Sequence, residues 1–145
     1  MKMLSTSNVE ETIELGIKLG RMLFPGAIVT LNGDLGAGKT TFTKGIAKGL
    51  DIERVVSSPT FTIMKVYEGR LNLYHMDVYR LEGIGYDYDL EEYLYGDGVS
   101  VVEWSENIKN SLEGYLRIDI TIKDGNRKFV IDSDDARYNE ILEKL

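Results

Sequence analysis

A chain of 145 residues with 43% hydrophobic content is long enough for one domain with a buried core and too short for two enzyme-sized ones. No apolar run approaches the roughly 20 residues of a membrane helix. The opening MKMLSTSNVEE lacks the apolar stretch of an export signal, so the expected location is cytoplasmic, away from any membrane; zero cysteines exclude disulfides and thiolate metal sites but say little by themselves about compartment. A net charge of −7 argues against the broad basic face that grips tRNA or DNA directly, so a nucleic-acid connection is expected only through a partner.

Residues 8–23, NVEETIELGIKLGRML, space Val9, Ile13, Leu15 or Ile17, Leu19 and Leu23 near a helical repeat. They predict an opening helix, capped by Ser7 or Asn8, with glutamates in its first turn and its end at Pro25-Gly26. AIVTLNG, a β-branched run closing on glycine, predicts a buried parallel strand, and a helical pattern runs from Lys39 to Gly49. TFTIMKVYEG and RLNLYHMD predict a hairpin turning at Glu68-Gly69, where glycine suits the positive φ of a tight turn.

YDYDLEEYLYGDG predicts a short acidic, aromatic helix ended by Gly96 to Gly98. Its tyrosines, Tyr88 and Tyr95 among them, are either a docking surface or, through Leu90, Tyr93 and Leu94, the buried stripe of a solvated helix. GVSVVEW predicts a second buried strand with Glu103 just past its apolar part. YLRIDITIKDGNRKFVID alternates about Asp124-Gly125 as a second hairpin, and Ser133-Asp134-Asp135 caps a final helix to Leu145. The sum is one α/β P-loop NTPase-like domain over residues 1–145, with a mostly parallel central sheet flanked by helices and added antiparallel hairpins.

Between the first strand and the second helix stands NGDLGAGKTT, whose Gly33 to Thr40 satisfies G-x-x-x-x-G-K-[ST]. In such a loop successive backbone N–H groups and the positive end of the following helix cradle phosphate, and glycine is needed because a side chain would block the approach. Gly33, Gly36 and Gly38 meet that need; Lys39 is expected over the β- and γ-phosphates, the Thr40 hydroxyl on Mg²⁺, and Thr41 near the α-phosphate. The remaining loop positions, Asp34, Leu35 and Ala37, would contact the nucleotide through their backbone.

Phosphate chemistry also needs an acid in the metal shell and a group that orients the nucleophile. Asp77 and Glu103 both end strand-like runs, at the carboxyl edge where open α/β sheets bind ligands. VSSPTFTI follows the second predicted helix, where many NTPases carry a loop that orders around the γ-phosphate; a proline turn entering a strand is the plain alternative. The sole histidine, His75, lies two residues before Asp77 and is expected to pack or hydrogen-bond rather than react. No N-K-x-D guanine signature occurs, which favours ATP over GTP. A small-molecule or nucleoside kinase stays open because MDVYR brings an acid and an arginine near the site, although Arg117, Arg127 and Arg137 form no clustered basic lid. A binding module that senses nucleotide without turnover is the third class.

GDLGAGKTT, SSPTFT, YHMDVYRL and VEW, in this order and spacing over residues 8 to 105, resemble the bacterial TsaE family, the P-loop ATPases of tRNA threonylcarbamoyladenosine biosynthesis. The resemblance implies a Mg²⁺-dependent ATPase, weak alone, that works in a complex with the TsaB and TsaD proteins and meets tRNA only through them. It places the phosphate loop on Gly33 to Thr41, the metal ligands on Thr40 and Glu103, the essential aspartate on Asp77 and a switch-like loop on SSPT. It also implies that Val9 and Arg127 flank the adenine, while Trp104, after the acid, is read as core packing.

Overall fold

The computed structural model describes residues 1–34, 36–57, 64–77, 94, 96–103 and 112–145. In chain order they form β1 (Lys2–Thr6), α1 (Val9–Met22), β2 (Ile28–Asn32), α2 (Lys39–Gly49), β3 (Met64–Tyr67), β4 (Leu73–Asp77), β5 (Val99–Glu103), β6 (Leu116–Lys123), β7 (Asn126–Asp132), a 3-10 turn (Ala136–Tyr138) and α3 (Asn139–Lys144). The strands make one seven-stranded sheet in the order β1-β7-β6-β2-β5-β4-β3. Its centre, β6-β2-β5-β4, is parallel, and antiparallel pairs close both sides through β6–β7–β1 and β3–β4. This is the expected P-loop-like α/β arrangement.

The alternation of side chains along a strand splits the core between the two faces of the sheet. Val29, Leu31, Val101, Ile118 and Phe129 meet Leu19 of α1 and Phe42 and Ile46 of α2, whereas Ile28, Met76 and Val102 meet Leu94 and Leu112 in a second cluster. Both strands beside the phosphate loop are buried nearly end to end, as parallel central strands must be. The β6–β7 turn is the predicted one: Asp124 at φ 53 and Gly125 at φ 82 are the two left-handed residues of a two-residue hairpin.

α1 begins where its sequence signals place it, with Asn8 at the N-cap accepting from the Glu11 N–H at 2.8 Å and Glu11 accepting from the Ser7 N–H at 2.7 Å. Its buried stripe differs from the expected leucine-isoleucine face. Thr12, Gly16, Leu19 and Gly20 are buried and Val9 is exposed. The reason is α2. A Cβ on Gly16 would stand 2.5 Å from the Phe42 carbonyl oxygen, and one on Gly49 2.5 Å from that of Ile17, so the two helices touch backbone to backbone.

The edges of the sheet hold one strand that was not foreseen and two expectations that need correction. Residues 2–6 carry no strong strand pattern, yet they pair antiparallel with β7 from Lys2↔Ile131 to Thr6↔Arg127. The β3–β4 connection runs from Glu68 to Asn72, and Gly69 has no positive φ. Glycine is required there for space instead, because a Cβ would strike the Leu50 carbonyl at the end of α2, and the next residue, Arg70, donates its N–H to that carbonyl at 2.7 Å. The final segment is capped by Asp135, which accepts from the Arg137 N–H, but it opens as a 3-10 turn before α3. Ser58 to Thr60, most of the predicted acidic helix, Leu35 and Trp104 lie outside the described residues.

Candidate functional site

The carboxyl ends of β2, β4 and β5 converge beside the start of α2. β2 stops at Asn32, and Gly33 turns the chain against β6 so tightly that a Cβ would lie 2.6 Å from the Ile120 carbonyl oxygen. The loop then uses two left-handed glycines, Gly36 at φ 83 and Gly38 at φ 107, with the Ala37 N–H donating to the Asp34 carbonyl at 3.0 Å. Gly38 is the N-cap of α2, with no side-chain cap and no acidic residue in the first turn. That leaves the positive end of the helix facing the loop, uncompensated by a protein carboxylate within its own turn.

Lys39, Glu103 and His75 form one buried polar cluster. Lys39 is 6% exposed; its Nζ donates to the Gly33 carbonyl at 2.8 Å and stands 3.9 Å from Glu103 Oε1. The other Glu103 oxygen, Oε2, accepts from His75 Nε2 at 2.5 Å. His75 is fully buried, and its Nδ1 has no hydrogen-bond partner among the described residues. Hydrogen bonding, expected for His75, is what it does; that its partner is the acid of the next strand could not be read from spacing along the chain.

Asp77 lies directly across from Glu103 in the parallel β4–β5 ladder, so both carboxylates leave the same face of the sheet at the same edge. Thr40 and Thr41 follow Lys39 in the first turn of α2, and the Thr43 hydroxyl donates back to the Lys39 carbonyl at 2.8 Å. Among the described residues no three His, Asp or Glu side chains gather as a metal cage. One carboxylate and one hydroxyl are nonetheless the protein donors a Mg²⁺ ion takes when phosphate and water fill its other positions.

A second group of predicted residues meets on the other side of the loop. Val9, at the start of α1, and Arg127, at the start of β7, line a cavity of about 210 Å³ with Asn8, Gly38 and Thr41. A Cβ at Gly38 would be 3.4 Å from Arg127 Nε, so the arginine already covers the loop's last glycine. Sequence reasoning missed Asn8 and Thr12, which also face this cavity; the buried Thr12 hydroxyl lies 2.7 Å from that of Thr6 on β1. The missed β1 is the reason: it anchors the wall.

The family model described as "Threonylcarbamoyl adenosine biosynthesis protein TsaE" matches residues 6–129. The chain belongs to the TsaE family. Relatives named "tRNA threonylcarbamoyladenosine biosynthesis protein TsaE" include one from Bacillus subtilis, 48% identical over 97% of this chain and 90% of its own length. Another, from Treponema pallidum, is 44% identical over 86% of this chain and 95% of its own. The crystal structure of Bacillus subtilis YdiB superposes with a TM-score of 0.85 at 42% identity, covering 98% of this chain and 91% of that one. Family membership thus spans the phosphate loop, Asp77, Glu103 and Arg127 alike.

Proposed function

We propose that the chain is a Mg²⁺-dependent ATPase required for threonylcarbamoyladenosine modification of tRNA, weak alone and active in a complex with the TsaB and TsaD proteins. The observation that carries this reading is the placement of Lys39 and Glu103 together at the mouth of a glycine-cradled helix N-terminus, in a family named for that pathway. Backbone N–H groups of Gly33 to Thr41 would hold the phosphates, and Lys39 would exchange its bond to the Gly33 carbonyl for the β- and γ-phosphate oxygens. Thr40 and Glu103 would hold Mg²⁺, which when bound neutralises charge on the terminal phosphates. Asp77, level with Glu103, is suited to orient the attacking water or the metal shell. Val9 and Arg127 would flank the adenine.

The net charge of −7 supports a role in which tRNA is met through the partners, and cytoplasmic location follows from the same reading. The deciding experiment is ATP hydrolysis with Mg²⁺ by the chain alone and with TsaB and TsaD proteins. Stimulation in the mixture, lost in Glu103→Ala, is expected; Asp77→Ala is expected to bind ATP without hydrolysing it. Tight binding without stimulation, with label from ATP appearing on a nucleoside or other small acceptor, would establish a kinase instead.

A further inference from the structure

We propose that Thr6 and Thr12 are positioning residues whose hydroxyl pair braces β1 against α1 and so sets the width of the slot for the nucleoside. The proposal rests on the reading in which adenine lies between Val9 and Arg127. The two walls of that slot come from different elements, Asn8 and Val9 from the start of α1 and Arg127 from the start of β7. Thr6 is tied to both. It stands across the antiparallel β1–β7 ladder from Arg127, and its hydroxyl lies 2.7 Å from that of Thr12, which lines the cavity from the first turn of α1. β1 is an edge strand whose ladder is with β7, so the hydroxyl contact is what joins that ladder to the helix side of the slot.

The bond has a direction. Thr12 donates to the Asn8 carbonyl at 3.2 Å, which leaves Thr6 as the donor to Thr12. Asn8 is also the cap of α1, so the brace reaches the residue that fixes where the helix begins. Both threonines are buried, at 4% and 2% exposure, where a hydroxyl is costly without a partner. Two valines would serve stability as well, because replacing both partners of a buried hydrogen bond by apolar groups of the same shape is nearly neutral. They would not serve the geometry. Apolar carbons touch at about 3.5–4.0 Å, so a valine pair would hold β1 and α1 about 1 Å further apart than the hydroxyl pair does. What the two hydroxyls add over two methyl groups is therefore the width of the slot.

The test compares ATP with inorganic tripolyphosphate, which offers the phosphate loop the same chain of phosphates without a nucleoside, in titrations with Mg²⁺ at one ionic strength. Thr12→Val is expected to weaken ATP about tenfold, within what partial loss of stacking on one base is worth, and to move tripolyphosphate by less than about twofold. Thr12→Ser, which keeps the hydroxyl, should recover most of the ATP affinity. The decisive variant joins Thr6→Val to Thr12→Val. Its melting temperature should return towards that of the unsubstituted chain, while its ATP affinity stays about tenfold low. Recovery of ATP affinity together with stability would reduce the pair to packing and overturn the proposal, as would an equal loss of ATP and tripolyphosphate, or no loss of either. Where Thr12→Val does not fold, the double variant decides by the same outcomes. An unsubstituted chain that binds tripolyphosphate as tightly as ATP would overturn the placement of adenine, and the proposal with it; one that binds neither would strike the nucleotide reading itself.

Discussion

The two ends of the central sheet handle a buried polar ring in opposite ways. At the carboxyl end His75 makes one hydrogen bond, to Glu103, and leaves its other nitrogen without a partner among the described residues. At the amino end Tyr138 is equally buried, but its hydroxyl accepts from the Ile28 N–H and donates to the Gly114 carbonyl, both at 2.9 Å, with its ring 5.2 Å from that of Phe24. A fully satisfied polar group fastens a fold, whereas a half-satisfied one is retained where its chemistry is used. The difference separates an end built for stability from the end at which the ATP site is proposed, within one sheet.

That division predicts that substitutions at the two ends are read by different assays. The largest effect is expected for Lys39→Ala at the carboxyl end, which should lower ATP turnover about a hundredfold or more, measured by phosphate release, because charge opposite the developing anion is lost. A rate within a few-fold of the unsubstituted chain would break the comparison. Gly45→Ala tests the helix pair beneath both ends. Alanine normally improves a helix interior by about 1 kcal/mol over glycine. Here its Cβ would overlap the Ile13 carbonyl and approach Gly16 Cα at 2.9 Å, so a net loss of about 2 kcal/mol is expected in denaturant unfolding.

Tyr138→Phe should cost about 1.5 kcal/mol of stability by orphaning the buried Ile28 N–H, with ATP affinity unchanged. It also sharpens the comparison through pH. Burial pushes the Tyr138 phenol above its ordinary 10.0. Below that pH the phenol is neutral folded and unfolded and its contribution is complete; above it the unfolded chain ionises first, so stability falls as pH rises through the folded value. Tyr138→Phe should flatten part of that alkaline slope in thermal unfolding; an unaltered slope would assign it to other tyrosines. The smallest effect is expected for Asn8→Ala, about 1 kcal/mol of stability from the lost cap of α1.

Much of this site was legible in the sequence because its signals are local. A glycine-rich spacing ending in Lys39-Thr40 specifies a loop and a helix start by backbone geometry alone, and Asp124-Gly125 specifies a turn in the same way. Glu103 and Asp77 were found because each ends an apolar run, and the structure sets them level. The cluster of Lys39, Glu103 and His75 was only partly legible: His75 and Glu103 are on different strands, and their contact depends on β4 and β5 being parallel neighbours in one register. Gly69 was misread for a related reason, since a local turn rule cannot register the end of α2 pressing on it.

By itself the sequence determined the phosphate-type loop, the strand and helix that bracket it, the continuous apolar runs that bury β2 and β5, and the β6–β7 hairpin, all set by interactions within a few residues. Only the tertiary structure decided that β1 closes the sheet, that Gly16 and Gly20 meet Gly45 and Gly49 backbone to backbone, and that His75 reaches Glu103. Those outcomes are set by which surfaces pack together across long stretches of chain. Close packing and the pairing of buried polar groups are satisfied between elements, not along them.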